Sequence, residues 1–281
     1  MSNIIKNLEA FGASILEDEK PVEDRLLKDM KILSNVSDGA RTKLWVESED
    51  KVKYLYKKSK INTFGEYTFE HVSEYIAMLI SRALDIPCCN VLCGNNAILS
   101  QVMWSENLKS FIELSEEMSH SFHMSNLETY NISTLLREQT NPYYKETVLM
   151  LLFDAFIGNS DRHPGNFMYN DNKGFYPLFD NGSSLCSYIR DYEVKNILRD
   201  GRRFEAINIT KSKPVLRDEQ KITHKQLVSI LYKQYPTICK EFGSKVRQLD
   251  MSKILLEVST TDLHKEIVYK FVEYRRKWFD E

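Results

Sequence analysis

Wound as a helix, residues Lys145–Ile157 are apolar nearly all the way round, with Val148, Leu149, Met150, Leu151, Leu152, Phe153, Phe156 and Ile157 leaving little polar face. Such a helix cannot lie on a surface, so the chain must build a body of protein around it. Gly158 ends it, as a glycine just past a last turn commonly does. The sequence then turns polar: Gly158-Asn159-Ser160-Asp161-Arg162-His163-Pro164-Gly165-Asn166. A hairpin follows, Phe167-Met168-Tyr169 against Phe175-Tyr176 across Asp171–Gly174, and leads to Phe179-Asp180-Asn181-Gly182. A polar loop on the end of a buried helix is a rigid mounting for side chains that do chemistry.

Those side chains form an ordered set. Asp161, Asn166 five residues later and Asp180 before a glycine turn are what phosphoryl transfer asks of a protein, which supplies positioning and charge neutralisation rather than covalent chemistry. The Asp-x4-Asn interval is also that of the protein-kinase catalytic loop. On this reading Asp161 accepts or orients the acceptor's hydroxyl proton, and Asn166 and Asp180 offer Mg²⁺ the oxygen ligands a small hard cation requires. The hairpin brings Asp180 back beside the loop. Four of the ten glycines (Gly158, Gly165, Gly174, Gly182) fall here, where the backbone must turn sharply. Singly, each piece reads as a surface ion pair or an ordinary turn; in this order and spacing they read as a site. His163 beside the loop is expected to brace it. Asp154, an acid inside the apolar helix, needs hydrogen bonds, and the loop backbone is its expected partner.

A kinase also needs a cation on the ATP phosphates, held by a helix glutamate. Thr42–Val46 and Val52–Lys57 read as strands joined by a polar turn, and alternation puts Lys53, Leu55 and Lys57 on one face. The segment Glu66–Leu84 reads as a helix stopped by Pro87, with Glu66, Glu70 and Glu74 four apart on one stripe. Periodicity chooses neither the lysine nor the glutamate. A second hairpin is expected over Asn90–Cys93 and Ala97–Met103, and helices over Ile132–Glu138, Lys221–Gln234 and Asp262–Phe279. The expected fold is therefore α+β and two-lobed, protein-kinase-like. A small β-rich N-lobe would span 1–104 and a mainly helical C-lobe 105–281.

Composition removes other classes. A formal charge of −2 gives a nucleic-acid partner no electrostatic support. No run approaches eighteen apolar residues and the N-terminal twenty lack a cleavable apolar core, so no membrane span and a cytoplasmic location are expected, with secretion or delivery to a host cell left open. The five cysteines lack framework spacing and read as reduced thiols. The six histidines have no zinc-ligand spacing.

The string from Gly158 to Asn166, with Pro177–Leu185, resembles the HipA-like serine/threonine kinases of bacteria, a family of toxin kinases and short stand-alone CtkA-like members. The likeness runs with gaps from Ser37 to Leu185, and the chain's length puts it nearer the stand-alone members. The resemblance implies ATP and Mg²⁺ as cofactors and a protein Ser or Thr as acceptor, with autophosphorylation and an antitoxin or host protein as further implications. It also implies roles. Tyr54-Leu55-Tyr56-Lys57 is similar to the strand carrying the ATP lysine, which selects Lys57, and Ser73-Glu74-Tyr75 is similar to the helix motif, which selects Glu74. Ser37-Asp38-Gly39-Ala40-Arg41-Thr42-Lys43 resembles the family's phosphate loop, giving Ser37, Gly39, Ala40 and Lys43 to the nucleotide together with His163, Asn166 and Asp180. Val102–Trp104 would form the adenine hinge. The Asp-Arg-His-x-x-Asn motif is shared with phosphatidylinositol kinases, so a lipid or small-molecule acceptor stays open, as does a pseudokinase that binds nucleotide without turnover. Lys195, Arg199, Arg202 and Arg203 are the nearest approach to a basic patch for either acceptor.

Overall fold

A computed structural model describes residues 25–35, 43–101, 108–110, 130–131, 136, 143–170, 174–215 and 220–280. Ser37, Gly39, Ala40, Val102 and Trp104 lie outside these residues, as does the expected helix Ile132–Glu138 apart from Leu136.

The first part of the chain is an antiparallel sheet of β1 (Lys31–Asn35), β2 (Lys43–Glu47), β3 (Lys53–Lys58), β4 (Val91–Cys93) and β5 (Ala97–Gln101), in the order β1-β2-β3-β5-β4. Alternation sorts its faces. Leu44, Val46, Tyr56, Ala97 and Leu99 pack under Leu26, Leu27 and Met30. On the other face Val91 and Ile98 meet Met78 of α1 (Glu70–Ala83). This helix starts four residues later than its periodicity suggests, because the preceding backbone is committed elsewhere. Tyr67 bridges to Ile61, Thr68 N–H donates to Lys60 O, and Phe69 N–H donates to Ser187 O.

The second part is built around α2 (Tyr144–Ile157), whose residues from Met150 to Ile157 are all buried. Around it lie α3 (Asp191–Arg199), α4 (Gly201–Asn208), α5 (His224–Gln234), α6 (Pro236–Gln248), α7 (Met251–Leu256) and α8 (Asp262–Arg276). Two small sheets complete it. One joins β6 (Leu108–Ser110), β8 (Met168–Asn170) and β9 (Gly174–Phe175), and the other joins β7 (Tyr130–Asn131), β10 (Lys211–Val215) and β11 (Lys221–Thr223). The helix expected from Lys221 starts only at His224. Thr223 caps it, its hydroxyl accepting from Gln226 N–H while the Gln226 side chain accepts from Thr223 N–H, so residues 221–223 are left to pair as a strand. The expected α+β class holds, with a sheet-rich first part and a mainly helical second. No helix among the described residues is long and apolar enough to cross a membrane.

Two joints position the site. Leu178, two residues before Asp180, donates to Pro87 O and accepts from Cys89 N–H, both at 2.9 Å, so the segment ahead of Asp180 is stitched to the approach of β4. Gly158 ends α2 in the left-handed region at φ 72°. A Cβ there would lie 2.6 Å from Phe271 Cζ and 3.1 Å from Arg275 Cζ. Gly158→Ala is therefore expected to cost about 2–4 kcal/mol, combining left-handed strain with overpacking. Denaturant unfolding checks this, and a loss under about 1 kcal/mol would mean that α8 yields easily.

Candidate functional site

The loop leaving α2 is organised by two side chains. Asn159 donates from Nδ2 to Asp154 Oδ1 at 3.0 Å and accepts the Asp161 N–H on Oδ1 at 3.0 Å. Arg162, 1% exposed, is the hub. Its Nε and Nη2 donate to Asp154 Oδ2 and Oδ1 at 3.0 and 2.9 Å. Its Nη1 donates to the carbonyls of Asn166 at 2.8 Å and Phe179 at 2.6 Å, and Nη2 also reaches Asn181 Oδ1. One guanidinium thus ties the end of α2 to both acid-bearing loops. The planar fork with five donors makes arginine, not lysine, the residue for this task. The partner of Asp154 is accordingly the Arg162 side chain together with Asn159, not the loop backbone. A fully buried carboxylate needs a countercharge, which backbone amides do not supply. Burial pushes the Asp154 carboxyl up and the Arg162 charge draws it back.

Asp161 is left partly open at 37% exposure, its Oδ1 3.3 Å from Lys213 Nζ. Asn166 is buried, and its Nδ2 donates to Asp161 O at 2.8 Å, so Oδ1, the atom a cation would need, is not used by that bond. His163 Nδ1 accepts the Gly165 N–H at 3.1 Å, the bracing role expected of it. Burial lowers its pKa, against the pull of Asp161 and Asp180, which suits a neutral imidazole accepting at that nitrogen.

On the sheet side, Lys57 on β3 is buried and pairs with Asp180 Oδ1. Lys53 is exposed at the far end of the same strand, so depth separates two lysines that periodicity could not. Lys43 is the direct cross-strand partner of Lys57. Of the three glutamates, Glu66 lies before α1 and pairs with Arg190 at 3.7 Å. Glu70 is taken by the Lys60 N–H at 2.9 Å and the Tyr188 hydroxyl at 2.8 Å. Glu74 is 1% exposed, accepts from Asn181 Nδ2 at 3.5 Å, and keeps Oε2 buried without a hydrogen-bond partner among the described residues. Burial raises its pKa, opposed by the Lys57 charge and reinforced by that of Asp180. Gly182 permits this approach, since a Cβ there would sit 3.1 Å from Glu70 O and 3.3 Å from Glu74 Oε2. Asp180 adopts a left-handed φ of 53° without being glycine, the kind of local strain that folds tolerate where a side chain must be aimed.

The crystal structure of CtkA, a proinflammatory kinase of Helicobacter pylori, superposes with a TM-score of 0.68 over 88% of this chain and 92% of that one, at 19% identity. The fold is that of the kinase CtkA. In sequence, the serine/threonine-protein kinase CtkA of Helicobacter pylori strain J99 is 24% identical over 271 residues, covering 85% of this chain and 80% of CtkA. HipA of Shewanella oneidensis, in its structure with HipB and operator DNA, aligns over 98% of this chain and 68% of that one at 13% identity and a TM-score of 0.41. No protein-family model matches the chain.

On this CtkA-like fold Lys57 meets Asp180 with Glu74 close behind, Asp161, His163 and Asn166 share the loop that Arg162 joins to the Asp180 segment, and Lys43 lies opposite Lys57. Sequence reasoning missed Arg162 as the hub and Lys213 altogether. An arginine four residues beyond the glycine that caps an apolar helix, with an acid inside that helix, was the available signal for the first; the second had none. Behind the loop lies a chain of buried polar groups. Arg275 donates to Thr210 Oγ1 at 2.6 Å, Thr210 meets His224 Nδ1 at 2.6 Å, and His224 Nε2 meets Asn159 O at 3.0 Å. With arginine donating at one end and a carbonyl accepting at the other, every proton in it is fixed. Among the described residues no group of three or more His, Cys, Asp or Glu is gathered to hold a metal.

The buried and half-buried histidines set an acid limit. Burial lowers His71 and His163, puts His224 well below its ordinary value, and takes His264, stacked on Phe69, to about 3. As pH falls below about 6.5 the unfolded chain takes up protons that the folded one refuses, so their stability contribution is full above that pH and lost below it. His264 alone should cost about 2 kcal/mol by pH 5. The raised carboxyls of Asp154 and Glu74 act in the opposite sense. Urea midpoints at pH 7.5 and 5 check the balance; an unchanged midpoint would refute it.

Proposed function

We propose that this chain transfers the γ-phosphate of ATP to a Ser or Thr hydroxyl of a protein, working as an N-lobe over 1–104 closed on a C-lobe over 105–281. The observation that carries the reading is the Lys57–Asp180 ion pair, beside two loops that one guanidinium joins through the carbonyls of Asn166 and Phe179. Lysine, amide and two acids from three separate segments converge there, as phosphoryl transfer requires.

Each residue then has a task. Asp161, open to the cleft, orients the acceptor hydroxyl and takes its proton. Asn166 Oδ1 and the Asp180 carboxylate are hard oxygen donors, one freed by the Asn166–Asp161 bond and one held beside a cation, and they fit Mg²⁺. When bound, Mg²⁺ supplies neutralisation of phosphate charge. Lys57 leaves Asp180 for the phosphates, with Glu74 behind it. Lys43 and Lys57, like charges directly opposite on neighbouring strands, repel unless an anion joins them. Ser37, Gly39 and Ala40 would cover the phosphates and Val102–Trp104 would hold adenine. The name of CtkA supports Ser or Thr as the acceptor.

The test is mass spectrometry of the purified chain with Mg²⁺ and ATP in a bacterial lysate, beside Asp161→Asn. New phosphoserine or phosphothreonine with the wild type alone is the expected result. ATP consumption without any phosphorylated protein would move the acceptor to a lipid or small molecule, and no consumption would remove the kinase reading.

A further inference from the structure

Lys213 lies fifty-two residues from Asp161 in sequence, yet its Nζ is 3.3 Å from Asp161 Oδ1. Its strand is firmly anchored. Thr210, just ahead of β10, is gripped by Arg275 and His224. Ser212, Pro214 and Val215 are buried on either side of Lys213, and Pro214 and Val215 pair with β7. A flexible lysine arm on a fixed base can reach only a small volume, and Asp161 is in it. Of the cations described beside the loop, Arg162 is buried at the hub, and Lys57 pairs with Asp180.

Accepting the kinase reading above, we propose that Lys213 is a catalytic residue that neutralises the phosphoryl group in flight, released to it by Asp161. In the step, the acceptor oxygen forms a bond to the γ-phosphorus, and the bond from that phosphorus to the oxygen bridging the β-phosphorus breaks. Its electron pair departs with ADP, and the hydroxyl proton passes to the Asp161 carboxylate. Once protonated, Asp161 no longer holds an ammonium. Lys213 turns to the oxygens of the transferring group as Asp161 lets go, so the cation reaches the phosphoryl oxygens while they carry the charge of transfer. The ion pair of the resting enzyme is thus a parking position. The bland reading, a part-exposed surface pair, would predict almost no consequence of its loss.

Lys213→Met and Lys213→Arg in the full chain test this with two readouts. In steady-state ATP consumption, Lys213→Met should lower kcat about a hundredfold with KM for ATP within about threefold, and Lys213→Arg should recover at least about a tenth of the wild-type rate. In thermal melts, the wild type should gain more from Mg²⁺, ADP and aluminium fluoride, a mimic of the phosphoryl group in flight, than from Mg²⁺ and ADP. Lys213→Met should keep the ADP gain and lose the increment. The same melts report whether each variant is folded, and Lys213→Arg carries the test if Lys213→Met is not, because arginine moves the charge without removing it and should still lower kcat. A Lys213→Met enzyme within about threefold of wild-type kcat, or one with the fluoride increment intact, overturns the role of Lys213 and leaves the kinase reading standing. A wild type that neither consumes ATP nor is stabilised by ADP overturns both.

Discussion

Asp161→Asn is expected to lower kcat by about 10²–10⁴-fold while leaving the melting temperature close to that of the wild type. The magnitude follows from what the carboxylate alone can do. Asparagine matches its shape and can still accept a hydrogen bond, but it cannot take the acceptor's proton at neutral pH. The backbone of residue 161 should not notice, because its N–H is held by Asn159 Oδ1 and its carbonyl by Asn166 Nδ2. The side chain's own bond is the part-exposed pair with Lys213, worth about 1 kcal/mol at most. KM for ATP should move little, since the nucleotide is assigned to Lys57, Asn166 and Asp180. Steady-state kinetics with a melt of the same sample separates the two outcomes. A kcat within about tenfold of wild type would remove Asp161 from the chemistry, and a large drop in melting temperature would make it structural.

Arg162→Met should have the opposite profile, a collapse in stability. Removing one partner of a buried ion pair leaves the other charge without compensation, at about 3–5 kcal/mol. Here Asp154 would be stranded inside the most apolar helix of the chain, and the carbonyls of Asn166 and Phe179 would lose their donor as well. For a chain of this size that corresponds to a fall in melting temperature on the order of 10 °C. Asp154→Asn added to Arg162→Met should recover part of the loss, because the stranded charge is then gone. A single variant within about 1 kcal/mol of wild type would show that water reaches Asp154, and a double variant no better than the single would show that the carbonyls, not the charge, carry the cost.

The sequence made some of this plain, for identifiable reasons. Helix α2 and its glycine stop are local patterns, and the structure has both at the expected residues. The strands β2 and β3 lie within a residue of expectation. What could not be read depended on distant parts of the chain. Nothing in Glu66–Phe69 says that the amides of Thr68 and Phe69 will be claimed by Lys60 and Ser187, so periodicity alone extends α1 by four residues. The choice of Lys57 over Lys53 is one of depth beneath the fold, which alternation does not encode and only family resemblance supplied. Arg162 looked like a surface neighbour of Asp161 because one-dimensional spacing cannot show that its side chain turns inward, eight residues back, to Asp154. Lys213 belongs to the site only because β10 passes beside it.

The chain of contacts from Arg275 through Thr210 and His224 to Asn159 also has a consequence in time. Asn159 emerges from the ribosome long before Arg275 has been added, and at about 5–20 residues per second the interval is on the order of ten seconds. During it the loop holding Asp161 lacks the backing that fixes Asn159, so a nascent chain carries every residue of the site before it carries the site. Under the kinase function proposed above, an unfinished chain is expected to transfer no phosphate until synthesis has passed α8.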